Sequence, residues 1–274
     1  MRLGRGRHAL ERDSMSISIV DVVPHLRQIF AVALVALQPF HGLRRTRSLQ
    51  RFTSTAGRLS AYRSIVLWTW TTSAVAVVLI LPGNILLTER RVEDMFWLLG
   101  VTPVRLGLSI LIGILIFAFF VQMVFLGSTT DRRAQYAEVA GSFRFFLPVT
   151  TEERCWWLAV SLTAGICEEV LYRGYLLQFF SGKFEGSLSL GLTAAWLLSS
   201  VAFGLAHFYQ GVRAIAKTAV VGALLGILAI LTGNLILPIL VHALMDAGHL
   251  WTYRPQQDDP NKADRLIRGY DLTS

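Results

Sequence analysis

The amino-acid sequence predicts an all-α, polytopic transmembrane helix bundle, and three observations carry that prediction. Of its 274 residues, 53% are hydrophobic and only 16% charged, with a mean hydropathy of +0.51. That is more apolar surface than a soluble domain of this length buries. Six apolar stretches, at about residues 65–81, 106–126, 156–180, 187–206, 212–231 and 235–252, are long enough to cross the hydrocarbon core as helices. The carboxylates and imidazoles inside these stretches are few: Glu168, Glu169, His242, Asp246 and, near one end, His249, with His207 at the end of another. Ionisable groups at membrane depth are costly, so they face a bundle interior or an aqueous cavity and mark function.

The chain divides accordingly. Residues 1–60 form a basic N-terminal arm, 61–252 the transmembrane domain, and 253–274 a polar tail with Pro255, Asp258, Asp259 and Pro260 that reads as loosely ordered. Within the arm, Ile29 to Phe40 is too short to cross unaided and follows Asp21, Pro24, His25 and Arg27, so an interfacial or re-entrant helix is expected there. The stretch from Ile65 to Leu81 ends at Pro82-Gly83, and Leu106 to Leu126 carries no formal charge; both read as lipid-facing scaffold. No secretory signal is expected at the polar, Arg-rich start, and Met15 offers an alternative first residue.

Charge placement predicts orientation. The net charge is +8, and Arg44, Arg45, Arg47, Arg51, Arg58 and Arg63 all precede the first of the six stretches. This clustering favours a cytoplasmic arm and anionic lipid over nucleic acid. Six crossings then bring both termini to the cytoplasm, with Asp131, Arg132, Arg133 to Arg144 inside and the loop from Glu89 to Arg105 outside. Abundant Arg, with Lys183, Lys217 and Lys262 the only lysines, points to a bacterial plasma membrane. Cys155 and Cys167 on one helix would be separated by roughly 18 Å of rise, which excludes a bridge between them.

Helical spacing decides which polar groups can meet. Glu169 and Arg173 are four apart with the acid N-terminal, the favourable order for an ion pair on one face. Glu168, about 100° round the helix, is then left free for another role. His207 lies four residues after Phe203 and shares its face; taken singly, a histidine at a helix end is more often structural. His242 sits within an apolar run with Asp246 one turn later, and His249 reads as interfacial. Three stretches each carrying inward-capable polar groups suit acid/base or metal chemistry.

In order and spacing, Glu168-Glu169-Val-Leu-Tyr-Arg173-Gly174, then Phe203-x-x-x-His207, then His242-x-x-x-Asp246 resembles the type II CAAX prenyl protease family, the CPBP or Abi group of intramembrane glutamic endopeptidases. The resemblance covers about residues 150–252 and extends to Gly233-Asn234-Leu-Ile-Leu-Pro238. It implies that Glu168 and His207 hold and activate a water that attacks a peptide carbonyl. His242 and the residue at 246 would stabilise the oxyanion, and Glu169, Arg173 and Phe203 would support them. No cofactor is implied; the implied partners are the lipid bilayer and a membrane-associated protein or peptide substrate. The family often has Asn where this chain has Asp246, so the aspartate either orients His242 through a ring N–H or donates as a protonated acid. Two other readings stay open: a zinc hydrolase with Glu168, His207 and His242 as ligands, which no His-Glu-x-x-His motif supports, and a non-catalytic immunity or scaffold protein.

Overall fold

Helices make up nearly all of what the computed structural model describes, namely residues 19–49, 54–80, 107, 110–116, 118, 146–183 and 188–252, and no strand occurs among them. In chain order, α1 (Ile19–Val32) runs through a π-helical turn (Ala33–Leu37) into α2 (Gln38–Leu49), and α3 (Thr55–Ile80) follows. Then α4 (Thr151–Glu169) passes through a second π-helical segment (Val170–Leu176) into α5 (Leu177–Ser181). The rest is α6 (Leu188–Ala206), a 3-10 turn (Phe208–Gln210), α7 (Val212–Thr232), α8 (Ile236–Ala247) and the short α9 (His249–Thr252). The predicted all-α bundle is the observed fold, with five of the six apolar stretches coinciding with helices. The stretch at 106–126 is described only at residues 107, 110–116 and 118, all helical. The loop from Glu89 to Arg105, the segment 131–144 and the tail from 253 lie outside the described residues.

The N-terminal arm departs from expectation. In place of a short interfacial helix, α1 and α2 form one rod, long and apolar enough to cross a membrane from Val22 to Arg44, as are α3 and the stretch Ala214–Thr232 of α7. Arg27 explains the difference. Its guanidinium turns onto the last carbonyls of α3, with Nε donating to Leu79 O at 2.7 Å and Nη2 to Ile80 O at 3.2 Å. The charge that broke the apolar run in sequence thus satisfies orphan carbonyls at a helix end. Along the rod, Val22, Leu26, Ile29, Val32, Leu37 and Phe40 are exposed. Their spacing of three or four lengthens to five across the π-helical turn, which keeps the apolar stripe on one side.

Contacts fix the helix directions. Tyr62 meets Trp157 edge-on, Trp70 Nε1 donates to Thr163 Oγ1 and Ser73 Oγ to Cys167 O, so α3 and α4 run parallel. By contrast α8 is antiparallel to α4: Arg154 Nη2 donates to Leu250 O at 2.8 Å and Trp157 Nε1 to Asp246 O at 3.0 Å. α1 and α2 are antiparallel to α3, since Arg27 reaches Leu79 while His41 stacks on Trp68. Ile19 therefore lies at the end of the bundle opposite Thr252, whereas six crossings with a surface helix placed both termini together.

Missing side chains set the interhelical distances around the centre. A Cβ on Gly165 would fall 2.8 Å from Ala243 Cβ and 2.9 Å from Ile239 O, so α4 and α8 touch backbone to backbone. On Gly204 it would fall 2.6 Å from Ile215 O, where α6 meets α7. A capping box starts α4: Thr150 Oγ1 accepts from the Glu153 N–H, and Glu153 Oε2 accepts from Thr150 N and Val149 N. Gly233, at φ 67°, ends α7 in the left-handed region that favours glycine. Asn234 Oδ1 then accepts from Ile236 N at 3.0 Å and opens α8.

Candidate active site

Three helices deliver the sequence-predicted residues to one place at mid-bundle. Glu168 comes from the last turn of α4, His207 from the residue after α6, and His242 from the middle of α8. Glu168 Oε2 lies 3.9 Å from His207 Nε2 and 3.9 Å from His242 Nε2. Neither spacing is a direct hydrogen bond. This oxygen is buried and has no hydrogen-bond partner, although the side chain as a whole remains 24% exposed toward a cleft.

Each imidazole is held by its other nitrogen. His207 Nδ1 lies 2.9 Å from Phe203 O; a carbonyl only accepts, so Nδ1 carries the hydrogen and Nε2 faces Glu168. His242 Nδ1 lies 2.8 Å from Glu169 Oε1 and donates to that carboxylate. The same Glu169 oxygen accepts from Arg173 Nη1 at 2.7 Å, and Arg173 Nη2 donates to Gly222 O at 2.7 Å on α7. Glu169 is fully buried and Arg173 is 1% exposed, so this pair is desolvated and every close partner counts.

The predicted ion pair between Glu169 and Arg173 is therefore present, but its setting is different. In the sequence, Glu169 reads as the shell around Glu168 and Asp246 as a candidate to orient His242. In the structure Glu169 orients His242, because the glycine contact at Gly165 brings α8 against that face of α4. Asp246 Oδ2 stands 3.8 Å from His242 Nε2, beyond hydrogen-bond reach, and its side chain is 36% exposed. Asp246 borders the Nε2 side of His242 without fixing the ring.

Phe203 is more central than its helical spacing suggests. Its ring, 1% exposed, lies 4.8 Å from the His207 ring, 5.7 Å and edge-on from His242, and 5.0 Å from Tyr172. The Arg173 guanidinium packs 4.5 Å over it. The π-helical segment Val170–Leu176 starts directly after Glu169 and carries Tyr172 and Arg173; such segments recur at functional sites. His249 packs edge-on to Trp157, away from the three central groups. Among the described residues, no group of three His, Cys, Asp or Glu side chains is arranged to hold a metal ion.

A cleft opens at Glu168, Tyr172 and His207 and runs down α3 to Phe146, with α2 as its outer wall. Sequence reasoning missed this wall. The signal for it was the stripe of apolar residues spaced three to five apart from Val22 to Phe40, which the charges around Arg27 obscured.

Residues 150–248 match the family model described as Type II CAAX prenyl endopeptidase Rce1-like. The chain is also 33% identical over 86 residues to a protein of Escherichia coli described as an uncharacterized 24.3 kDa protein; that stretch is 31% of this chain and spans 38% of the relative. No solved structure matches the chain. Glu168, Glu169, Arg173, Phe203, His207, His242 and Asp246 all fall inside the matched segment, while α1, α2 and α3 fall outside it. The similarity to the Rce1-like type II CAAX prenyl endopeptidase family is thus carried by residues 150–248.

Proposed function

We propose that this protein is a membrane-embedded endopeptidase that hydrolyses a peptide bond of a membrane-associated protein or peptide with a water held between Glu168 and His207. The observation that carries this reading is the pair of 3.9 Å spacings around Glu168 Oε2. A water about 2.8 Å from each of two groups bridges such a gap at close to a right angle. With His207 Nδ1–H committed to the Phe203 carbonyl, Nε2 and the Glu168 carboxylate are both acceptors, and one water donates to both.

Glu168 takes a proton from that water as its oxygen bonds to the scissile carbonyl carbon. The carbonyl oxygen becomes the oxyanion. His242 donates from Nδ1 to Glu169 and, as the imidazolium, also presents an Nε2–H to the same space, where it stabilises the developing charge. When the carbon–nitrogen bond breaks, the protonated Glu168 returns its proton to the leaving amine, so the carboxylate is regenerated. Asp246 adjoins this space, with Oδ2 3.8 Å from His242 Nε2.

Orientation in a bacterial plasma membrane follows from the arginines. Arg44, Arg58 and Arg63 lie toward the end of the bundle where α3 and α4 begin, and this end faces the cytoplasm. The cleft extends from Glu168 toward this end as far as Phe146, and substrate enters from that side. With α1 and α2 crossing, Ile19 then faces the opposite compartment.

Replacing Glu168 by Gln tests the chemistry. Full-length native and Glu168→Gln protein are reconstituted in vesicles with a bacterial membrane-protein extract, and new peptide ends are mapped by mass spectrometry. The expected outcome is that ends appearing with the native protein vanish with the variant while its melting and insertion stay native. Losing a general base costs roughly a hundredfold or more, so turnover above about a tenth of native refutes the assignment.

A further inference from the structure

A second cavity, of about 290 Å³, lies away from the reactive groups, at the end of the bundle where α1 begins and α3 ends. Ile80 on its wall lies beyond Thr72, the last α3 residue of the cleft, by about 12 Å of helix rise. Pro24 and Arg27 of α1 form one side and Ile80 of α3 another. Gln178, Phe179 and Lys183, from α5 and the turn after it, form the third. Val22 opens one candidate span and Ile80 closes another, so the cavity sits where hydrocarbon gives way to lipid headgroups.

The charge of this cavity is of one sign. Arg27 and Lys183 both line it, and none of the described lining residues is Asp or Glu. A guanidinium carries five N–H donors; Arg27 gives one on Nε to Leu79 O and one on Nη2 to Ile80 O. Those on Nη1 have no partner among the described residues. Lys183 is exposed, and its Nζ lies 5.3 Å over the Phe179 ring, a contact that leaves its N–H donors unspent. Phe179 in turn stacks on Tyr175 at 6.1 Å, and the Tyr175 hydroxyl donates to Arg27 O, so one chain of contacts holds both cations around the space. The helix-end carbonyls that would repel an anion here are already taken. Arg27 occupies those of Leu79 and Ile80, and the N–H groups of Gly182 and Lys183 occupy those of Gln178 and Phe180.

We infer that this cavity binds the phosphate of an anionic phospholipid headgroup between Arg27 and Lys183. Basic residues facing one space at the membrane boundary attract anionic headgroups, and the open Nη1 of Arg27 suits phosphate oxygens. A zwitterionic headgroup brings its own cation, which this pair repels. The level of the cavity, at the ends of two spans, selects a lipid over a free phosphate, because a lipid there keeps its tails in the hydrocarbon while its phosphate enters. The site is independent of the reaction at Glu168 and of which face of the membrane this end meets.

Lipid titration tests this. Full-length protein, stripped of lipid in neutral detergent, is titrated with dioleoyl phosphatidylglycerol or dioleoyl phosphatidylcholine, and bound lipid is counted by native mass spectrometry. Lys183 is replaced rather than Arg27, because Arg27 also caps α3 and its loss would confound binding with folding. Native protein is expected to hold phosphatidylglycerol at least about fivefold more tightly than phosphatidylcholine, the effect of one basic residue worth about 1 kcal/mol. Lys183→Gln is expected to weaken phosphatidylglycerol by about the same factor and Lys183→Arg to keep it. Lys217→Gln, which removes an exposed lysine of α7, is expected to leave it unchanged. Equal affinity for the two lipids, a Lys183→Gln protein that binds like native, or equal losses in Lys183→Gln and Lys217→Gln overturns the site. In a last arm, inorganic phosphate is added in about a tenfold excess over lipid. Retention of phosphatidylglycerol upholds the headgroup assignment, whereas its displacement assigns the cavity to free phosphate and overturns it.

Discussion

Glu169→Gln is the substitution that most directly tests the buried network, because one oxygen carries two interactions. Glu169 Oε1 accepts from Arg173 Nη1 at 2.7 Å and from His242 Nδ1 at 2.8 Å. Glutamine keeps the shape and one acceptor oxygen but removes the charge. Arg173, 1% exposed, is then left with the Gly222 carbonyl as its close partner. Removing one partner of a buried ion pair costs about 3–5 kcal/mol, a large share of a total stability of about 5–15 kcal/mol. At the low end, a melting point falls by roughly 6–12 °C for a chain of this size class. Cys167 gives the assay a built-in reporter, since it is buried while Cys155 is exposed. In a Cys155→Ser background, thiol labelling during a temperature ramp in detergent follows opening of α4. Turnover falls about ten- to a hundredfold as His242 loses its charged orienting partner. Glu169→Gln/Arg173→Met, which removes the uncompensated cation as well, loses less stability than the sum of the single losses. A Glu169→Gln protein that melts within about 2 °C of native and turns over normally refutes the role given to this carboxylate.

Three further outcomes are expected. Asp246→Asn keeps activity within about threefold or raises it, because the aspartate stands 3.8 Å from His242 without fixing it and an amide donates at every pH; a loss beyond about a hundredfold in the same vesicle assay refutes this. Glu153 links stability to pH. Burial alone would raise its carboxyl, but the Arg58 guanidinium and the Val149 and Thr150 N–H groups hold it below the usual carboxylate range. Its contribution is therefore complete above about pH 4.3, the ordinary Glu value, and is lost as pH falls through the lower folded-state value. Glu153→Gln flattens the acid limb of the melting-point profile, and an unchanged limb contradicts the assignment. Finally, single cysteines at Val22 and Thr252, in a Cys155→Ser/Cys167→Ser chain, label from opposite faces of sealed vesicles; labelling of both from one face would show that α1 and α2 do not cross.

The sequence made the bundle and the identity of the central groups legible, for physical reasons that also explain what it concealed. Apolar length reports spanning helices directly, so α3, α4 with its π-helical extension, α6, α7 and α8 were readable. A carboxylate within such a run has few explanations, so Glu168 stood out. Spacing along one helix also gave the Glu169–Arg173 pair. Interactions between helices were not legible, because they depend on which faces meet. Nothing local says that His242, 73 positions away, takes Glu169 as its partner, whereas Asp246 is the obvious neighbour in sequence. The rod formed by α1 and α2 was hidden by a different effect: a charge counts against a span until the carbonyls that receive it are known, and for Arg27 these belong to Leu79 and Ile80.

The positions of the two imidazoles depend less on the acid and base residues than on close backbone contacts around Phe203. Its carbonyl holds His207 at Nδ1, and its ring contacts His207, His242, Tyr172 and Arg173. The ring is itself seated against α7, where a Cβ on Gly222 would come 2.9 Å from Phe203 Cδ1. One residue after Phe203, Gly204 brings α6 within backbone contact of α7, and Gly165 does the same for α4 and α8. A shift of about 1 Å in reacting groups can cost a hundredfold in rate. The spacing between α6 and α7 therefore sets where Nε2 of His207 stands, and that between α4 and α8 sets where Nε2 of His242 stands, each relative to Glu168. The 3.9 Å gaps around Glu168 Oε2 are in this sense built by residues without side chains, and the charged groups occupy a geometry that helix packing has already fixed.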